Sequence, residues 1–288
     1  MLTTRIVGVI NILDGIAVQS LNFKRYLPIG KPEIAVSYLN QWGIDDIVIL
    51  DIKSSVTGEC SLYQRLASYT TNCQTPVSAG GGIKTVYDIE NLISNGADKV
   101  VVNTKAHEDP NIIRMGAQKF GEQAIVVSID VARVNNEYKV FVQSGSRMIK
   151  QSLSEILKQS QDCGAGEIFI NSIDRDGSKK GYDLELFNYV MTNVSIPVVG
   201  CGGVGKANHF LDALPLNLSG LAAGNFFHYT EHSVILLKSC LRKEGQNIRL
   251  DTHASYQDQE FSVDQRLKML SDSELENLKF KYIPEEKI

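Results

Sequence analysis

The sequence lacks the long hydrophobic runs and the basic excess that mark several protein classes. No stretch approaches the roughly 18–20 unbroken apolar residues of a transmembrane helix. The 29 Lys and Arg residues are outnumbered by 33 Asp and Glu residues, and the formal net charge is −4. A nucleic-acid-binding chain normally carries a basic excess or stripe. We therefore expect neither a membrane nor a nucleic-acid partner.

Cysteine pairs with metal-binding or disulfide-forming spacing are also missing. The five cysteines are odd in number, scattered and free of CxxC spacing. These spacings argue against a metal site and a disulfide framework, so we expect no metal, no cofactor and reduced thiols. The apolar run after MLTTR is too short for a signal peptide, which predicts a cytoplasmic protein.

What the sequence does contain is a regular alternation of β-branched runs and helical patterns. Helical periodicity occupies 32–43, 85–96, 153–164 and 232–245, and several of these segments end in glycine. Strands are predicted over 5–11, 46–52, 76–79, 98–103, 124–130, 167–172, 197–201 and 219–223. Eight such units predict a (β/α)8 TIM barrel over 1–250. A doubly wound sheet is the competing fold, but no GxGxxG follows the first strand.

An internal repeat supports the barrel. VSAGGGIKTVYDI (77–89) resembles VVGCGGVGKANHF (198–210), and each follows a proline, Pro76 or Pro197. The spacing predicts two similar half-barrels. Asn11 and Asp130, each near the end of a strand, are then counterparts across the barrel mouth, one an amide and the other an acid.

The segment 251–288 differs from the rest in being short of apolar residues. It contains one weak helical pattern around 263–280. We interpret it as a polar C-terminal extension, with a docked helix slightly favoured over a loose end.

Two glycine-rich loops are candidates for binding phosphate. AGGGI (79–83) and CGGVG (201–205) follow the third and seventh strands, where backbone N–H groups can approach an anion. Their repetition predicts a ligand with a phosphate at each end, although glycines also simply permit turns. Polar residues of the neighbouring loops join them, although Asn and Thr also serve as ordinary helix caps. The candidates are Gly81, Gly82, Gly202, Gly203, Asn103, Thr104, Asn225, Asp176, Gly177 and Ser178.

Four charged residues lie at or next to the start of predicted strands, at the opposite end of the barrel: Arg5, Asp46, Lys99 and Glu167. Alternation along a strand places three of them on the same face as polar residues at the mouth. These pairs are Arg5 with Asn11, Lys99 with Asn103, and Glu167 with Asn171. The two positive and two negative side chains would close the barrel floor as a ring. The alternative is that they are simply solvated.

Taken together, these residues resemble the HisF-like family, the cyclase subunits of imidazole glycerol phosphate synthase. The resemblance runs from about residue 5 to 242, and DRDGSKKGYD (174–183) and GADKVVVNTKA (96–106) are its most specific parts. It implies a glutaminase (HisH-like) subunit docked at the floor. It also implies that ammonia passes the ring of Arg5, Asp46, Lys99 and Glu167 and reaches a bis-phosphorylated ribulosyl substrate at the mouth. Gly224 joins the second phosphate site by the same resemblance, and the strand-five acid is Asp130.

The departures from the family pattern concern the mouth. The family's strand-one acid is replaced by Asn11, and a lysine of the following loop by Gln19. A positioned acid or base contributes on the order of 10²–10⁴ in rate, and an amide does not titrate near neutral pH. The segment 22–52 resembles paralogues associated with acetamidino sugars of surface polysaccharides.

Three functions follow from this comparison. The first is an ammonia-conducting barrel that serves sugar amidation, with a sugar amidotransferase as a further partner and with impaired cyclase chemistry. The second is a working cyclase, a lyase of histidine biosynthesis. The third is a non-catalytic scaffold that activates a glutaminase.

Overall fold

Eight short, β-branched runs form parallel strands that close on themselves. In this computed structural model the described residues are 3–250, 252, 254, 256, 259–262, 266–268 and 270–277. The first strand pairs with the last through Arg5 and Gly220, which closes the barrel. The barrel strands are β1 (Arg5–Leu13), β4 (Asp46–Asp51), β5 (Val77–Gly80), β6 (Lys99–Val102), β7 (Ile125–Val134), β10 (Glu167–Ser172), β11 (Val198–Cys201) and β12 (Gly220–Ala223). The predicted (β/α)8 TIM barrel is confirmed.

Two β-hairpins extend from the barrel, and these were not predicted. β1 and β7 continue beyond Asn11 and Asp130 and turn back into antiparallel arms. The turns are two-residue turns at Asp14–Gly15 and Asn135–Asn136, all with positive φ, as hairpin turns matching the strand twist require. The additional strands are β2 (Ile16–Leu21), β3 (Arg25–Gly30), β8 (Glu137–Val142) and β9 (Arg147–Ser152).

Helices cover the outside of the barrel, and the four predicted helical segments correspond to α1 (Pro32–Gln41), α4 (Val86–Ser94), α7 (Leu153–Asp162) and α10 (Ser233–Lys243). Capping boxes begin α4 at Thr85 and α7 at Ser152, which satisfy backbone N–H groups that have no helical acceptor. The helices are α1 (Pro32–Gln41), α2 (Ile52–Thr57), α3 (Tyr63–Tyr69), α4 (Val86–Ser94), α5 (Thr104–Glu108), α6 (Asn111–Phe120), α7 (Leu153–Asp162), α8 (Leu184–Asn193), α9 (Asn208–Ala213), α10 (Ser233–Lys243) and α11 (Asp272–Glu276). Short 3₁₀ turns occupy Glu122–Ala124, Leu214–Leu216 and Asn225–His228.

Alternation along the strands divides the core into two apolar layers. Outward-facing residues such as Ile6, Ile47 and Val100 pack against the helices. A second cluster fills the interior of the barrel: Val7, Val9, Val48, Val101, Val126, Phe169, Val199, Cys201 and Ala222. Both faces of each strand are therefore apolar, which explains why the strands read as continuous hydrophobic runs.

The described part of the C-terminal extension contacts the outside of the barrel at α10. Tyr256 Oη lies 2.5 Å from His232 Nδ1, and Lys243 Nζ donates a hydrogen bond of 3.0 Å to the carbonyl of Gln259. The predicted helix around 263–280 lies partly outside the described residues; within them α11 is one short helix. In the described part of the chain, no helix has both the length and the apolar character needed to cross a bilayer.

A buried ion pair ties α10 to the segment between α1 and β4. Lys238 of α10 is 0% exposed, and its Nζ lies 2.6 Å from both the carbonyl of Gly43 and Oδ1 of Asp45. The other carboxylate oxygen of Asp45 accepts a hydrogen bond from the amide of Ile6 on β1. Asp45 thus connects α10 to the strand that closes the barrel.

We predict that Lys238→Met lowers the free energy of unfolding by about 3–5 kcal/mol, because it leaves the Asp45 carboxylate buried without its cation. Urea denaturation at pH 7 measures the change. The matched control is Lys158→Met on the exposed face of α7, for which we expect a change within about 0.5 kcal/mol. Equal stabilities for the two variants would contradict this role of Lys238.

Candidate functional site

The carboxyl ends of the barrel strands surround a cavity of about 220 Å³. It brings together residues that are far apart in the chain. The predicted site residues on its wall are Asn11, Gly81, Gly82, Asn103, Thr104, Asp130, Asp176, Gly177, Gly202, Gly203, Gly224 and Asn225. Ser178 does not line the cavity; its hydroxyl accepts a hydrogen bond of 3.3 Å from the amide of Lys180. We call this cavity the mouth.

Asp130 is the buried acid of the mouth. It is 5% exposed, and its Oδ2 accepts a hydrogen bond of 2.8 Å from Asn103 Nδ2. Burial, with a smaller contribution from the charge of Asp176, raises the pKa of Asp130 to about 7, although the hydrogen bond from Asn103 opposes the shift. A carboxyl with this pKa can both donate and accept a proton near neutral pH.

Asn11 takes the corresponding position on β1. It pairs with Val18 in the first hairpin, as Asp130 pairs with Phe141 in the second, and its side chain lies on the wall of the mouth. The nearby Asp14 does not replace the missing acid. It sits in the hairpin turn, 61% exposed, and forms an ion pair with Lys53. The mouth therefore has an acid on β7 and an amide on β1.

The glycine loops leave backbone exposed on the wall of the mouth. Gly82 and Gly203 have φ of 69° and 100°, a region that L side chains rarely adopt. A Cβ on Gly203 would lie 2.2 Å from the carbonyl oxygen of Gly181, so a side chain has no space there. This backbone geometry is what close approach of an anion to N–H groups requires.

The first hairpin is held over the mouth by two of the predicted phosphate-binding residues. Asn225 donates from Nδ2 to the carbonyl of Ser20 (2.7 Å) and accepts at Oδ1 from its amide (3.1 Å). Asp176 Oδ2 accepts hydrogen bonds from Ser20 Oγ (2.6 Å) and the amide of Phe23 (3.1 Å). Burial raises the pKa of Asp176. Both side chains are thus engaged by the hairpin.

The second hairpin meets the first over the mouth. The amide of Gln143 donates a hydrogen bond of 3.1 Å to Thr104 Oγ1, and Phe23 packs against Gly145. The cavity is also lined by four hairpin residues that were not predicted from the sequence: Phe23, Tyr26, Gln143 and Ser144. The dipeptide Asp14–Gly15 is a strong hairpin-turn signal, and Asn135–Asn136 combines two residues of a type that tolerates positive φ, so both turns could have been recognised.

The four strand-start charges meet at the opposite end of the barrel as a closed ring. Arg5 Nη1 lies 2.6 Å from Asp46 Oδ2, and Arg5 also pairs with Glu167. Lys99 Nζ lies 2.7 Å from Glu167 Oε2 and 3.6 Å from Asp46 Oδ2. Burial raises the pKa of Asp46, while Lys99 and Arg5 lower it. We call these four residues the floor ring.

The carboxylates of the floor ring are more buried than its cations. The side chains of Asp46 and Glu167 are 4% and 7% exposed, against 27% and 22% for Arg5 and Lys99. The apolar cluster of the barrel interior lies between this ring and the mouth, since Val7 and Val9 separate Arg5 from Asn11 along β1. A charged end and a polar end are therefore joined by an apolar interior.

The chain matches one family along most of its length. The family described as histidine biosynthesis protein matches residues 5–233. A Vibrio vulnificus chain designated hisF2 is 38% identical over 258 residues, covering 89% of this chain and 95% of its own. The imidazole glycerol phosphate synthase subunits HisF of Metallosphaera sedula and of a Thermotoga species are each 38% identical. They cover 86% and 87% of this chain and 100% and 99% of their own lengths.

The raised pKa of Asp130 predicts a pH-dependent stability. Between about pH 4 and pH 7 the native state keeps the proton of the Asp130 carboxyl, whereas the unfolded state, with an ordinary carboxyl pKa of 3.8, releases it. The stability that this difference provides is complete below about pH 4 and is lost as the pH rises to about 7. In urea denaturation, Asp130→Asn should gain stability over the wild type across that interval, by up to about 4 kcal/mol. The difference should be constant above pH 7.

The control is Asp162→Asn, at an exposed position on α7. Its stability relative to the wild type should vary little over the same pH range. A stability difference for Asp130→Asn that does not change with pH would contradict the raised pKa.

Proposed function

Because the chain belongs to the HisF-like family of histidine biosynthesis proteins, we propose that it is the barrel subunit of a glutamine-dependent enzyme. A HisH-like glutaminase docks at the floor ring and releases ammonia there. The ammonia crosses the barrel interior and leaves at the mouth, where a phosphorylated small molecule binds. It then reaches a sugar amidotransferase, and the final reaction is amidation of a sugar in surface polysaccharide biosynthesis.

The observation that carries this proposal is the floor ring at one end of the barrel together with the apolar interior that leads from it to the mouth. Arg5, Asp46, Lys99 and Glu167 close the barrel with charges that neutralise one another. Movement of Lys99 breaks two of these contacts and opens a passage. An interior lined by Val7, Val48 and Val101 accepts neutral ammonia, whereas ammonium would lose its hydration there at a cost of several kcal/mol.

The composition of the mouth supports a changed reaction. Asp130 is placed to transfer a proton near neutral pH, but Asn11 provides no second titratable group opposite it. Losing one positioned acid or base lowers a rate by about 10²–10⁴. We therefore propose that cyclase chemistry is impaired and that ammonia passes to a sugar amidotransferase that works with this barrel. The likeness to the hisF2 chain of Vibrio vulnificus is compatible with a paralogue.

A working cyclase of histidine biosynthesis is the second candidate. Two observations favour it: Asp130 has a pKa of about 7, and both glycine loops line the mouth. The chain is also 38% identical to HisF of Metallosphaera sedula over that protein's full length. In this case the enzyme would be an imidazole glycerol phosphate synthase-type lyase that tolerates Asn11.

A direct assay separates the two candidates. The purified barrel receives the bis-phosphorylated ribulosyl substrate and ammonium chloride, so no glutaminase is needed. We expect turnover at least about 100-fold below that of a HisF cyclase measured in parallel, because one acid–base group is missing. Asn11→Asp should raise turnover about tenfold or more.

The matched control is Asn193→Asp, the same chemical change at an exposed position near the end of α8. It should leave turnover unchanged. Wild-type turnover within about tenfold of the HisF cyclase would overturn the proposed impairment and establish the second candidate.

A further inference from the structure

A second cavity is formed by the loops that follow β10 and β11. Its volume is about 330 Å³, and three cations line it: Arg175, Lys180 and Lys206. Among the described residues, Asp212 is the one acid on its wall, and no residue lines both this cavity and the mouth. We call this second cavity the side pocket. Its lining has a net positive charge, which attracts anions.

The carboxylates that neighbour these cations in the chain are engaged elsewhere. Asp174 Oδ2 accepts a hydrogen bond of 2.7 Å from the amide of Arg133. Asp183 Oδ1 accepts one of 3.0 Å from the amide of Leu186, and Asp176 is held by the first hairpin. In the described part of the chain, none of the three cations of the side pocket forms an ion pair. Their charge is therefore available to a ligand.

His209 adds a buried hydrogen-bond donor to the side pocket. It is 9% exposed, and its Nδ1 accepts a hydrogen bond of 3.1 Å from the amide of Gly205. Burial, and then the charge of Lys206, lower the pKa of His209 although Asp212 opposes the shift, so the ring is neutral at pH 7. A neutral ring that accepts at Nδ1 carries its hydrogen on Nε2. Within the described residues, this Nε2–H has no acceptor.

The two loops of the side pocket also carry residues of the mouth. The amide of Gly181 donates a hydrogen bond of 2.8 Å to the carbonyl of Gly203, which lines the mouth. Asp176, also on the wall of the mouth, directly follows Arg175. A ligand that contacts Arg175 on one loop and Lys206 on the other therefore fixes the two loops relative to each other.

The chemistry of these groups defines the ligand that they can bind. A guanidinium, two ammonium groups and the Nε2–H of His209 all donate hydrogen bonds, so the complementary group is an anion with several acceptor oxygens. Phosphate meets this requirement, because it accepts a bidentate contact from an arginine and has further oxygens for the lysines and the histidine. The carboxylate of Asp212 can accept a hydrogen bond from a hydroxyl group attached to that phosphate.

We propose that the side pocket binds phosphate, either free or as the monoester of a small hydroxylated molecule. Arg175 contacts the phosphate from one loop, and Lys206 and His209 contact it from the other. The bound phosphate holds together the loops on which Asp176 and Gly203 line the mouth. This site is separate from the mouth and does not rest on the proposed function.

The test is a titration of the isotope-labelled barrel with sodium phosphate and, separately, with glycerol phosphate, at constant ionic strength. The NMR signals of the His209 ring report on the side pocket, and the amide of Gly82 reports on the first glycine loop of the mouth. We expect saturable shifts at His209 with at least one of the two probes. Tighter binding of glycerol phosphate identifies a monoester as the ligand, whereas equal or weaker binding identifies free phosphate.

Lys206→Gln removes one cation at an exposed position, a change that the fold tolerates. It should weaken the affinity measured at His209 about tenfold, the value of one charge-assisted hydrogen bond. The affinity measured at Gly82 should not change. Arg175→Gln removes a cation from the other loop and should weaken binding at His209 by a similar factor. The matched control, Lys158→Gln on the exposed face of α7, should alter neither affinity.

Two results would overturn the site. The first is that the signals of His209 do not shift saturably with either probe. The second is that the affinity measured at His209 is the same in Lys206→Gln as in the wild type, which would mean that the shifts are transmitted from phosphate in the mouth. The signal of Gly82 tests the phosphate sites of the mouth separately, so a failure of either site leaves the other standing.

Discussion

The neutralisation of two buried carboxylates by two partly exposed cations at the floor is the constraint on which the rest of the structure depends. Asp46 and Glu167 lie almost entirely out of water, and each contacts both Arg5 and Lys99. A buried carboxylate without a cation would cost several kcal/mol, so these contacts fix which face of each strand points inward. Because side chains alternate, the same choice places Asn11, Asn103 and Asn171 at the mouth. The two ends of the barrel are therefore coupled through strand geometry.

The mouth is asymmetric because the two half-barrels carry different residue types at one equivalent position. The two half-barrels supply equivalent strands and equivalent hairpins, but the first carries Asn11 and the second carries Asp130. Asp130 holds its proton to near neutral pH because it is buried. The side-chain amide of Asn11 does not titrate near neutral pH. Hydrogen bonds of Ser20 to Asp176 and of Gln143 to Thr104 hold the two antiparallel arms beside this unequal pair.

Much of this arrangement was predictable from local sequence, because strand number, strand parity and the glycine loops are short-range patterns. Parity correctly brought Arg5 and Glu167 together at the floor. The pairing of Asn225 with Ser20 was not predictable, because it joins residues 205 positions apart and depends on how a hairpin folds back. The hairpins themselves were predictable from their turn dipeptides. The sequence also did not reveal the orientation of Ser178: its loop reaches the mouth, but its own side chain does not line the cavity.

The central claim is that the floor ring is the receiving end of a nitrogen conduit. Hydrogen–deuterium exchange of the barrel, with and without its glutaminase, tests this most directly. The account predicts that protection appears in the segments leading into the floor, 44–46, 97–99 and 165–167. Protection confined to the mouth hairpins around 20–25 and 143–146, with the floor unchanged, would contradict it.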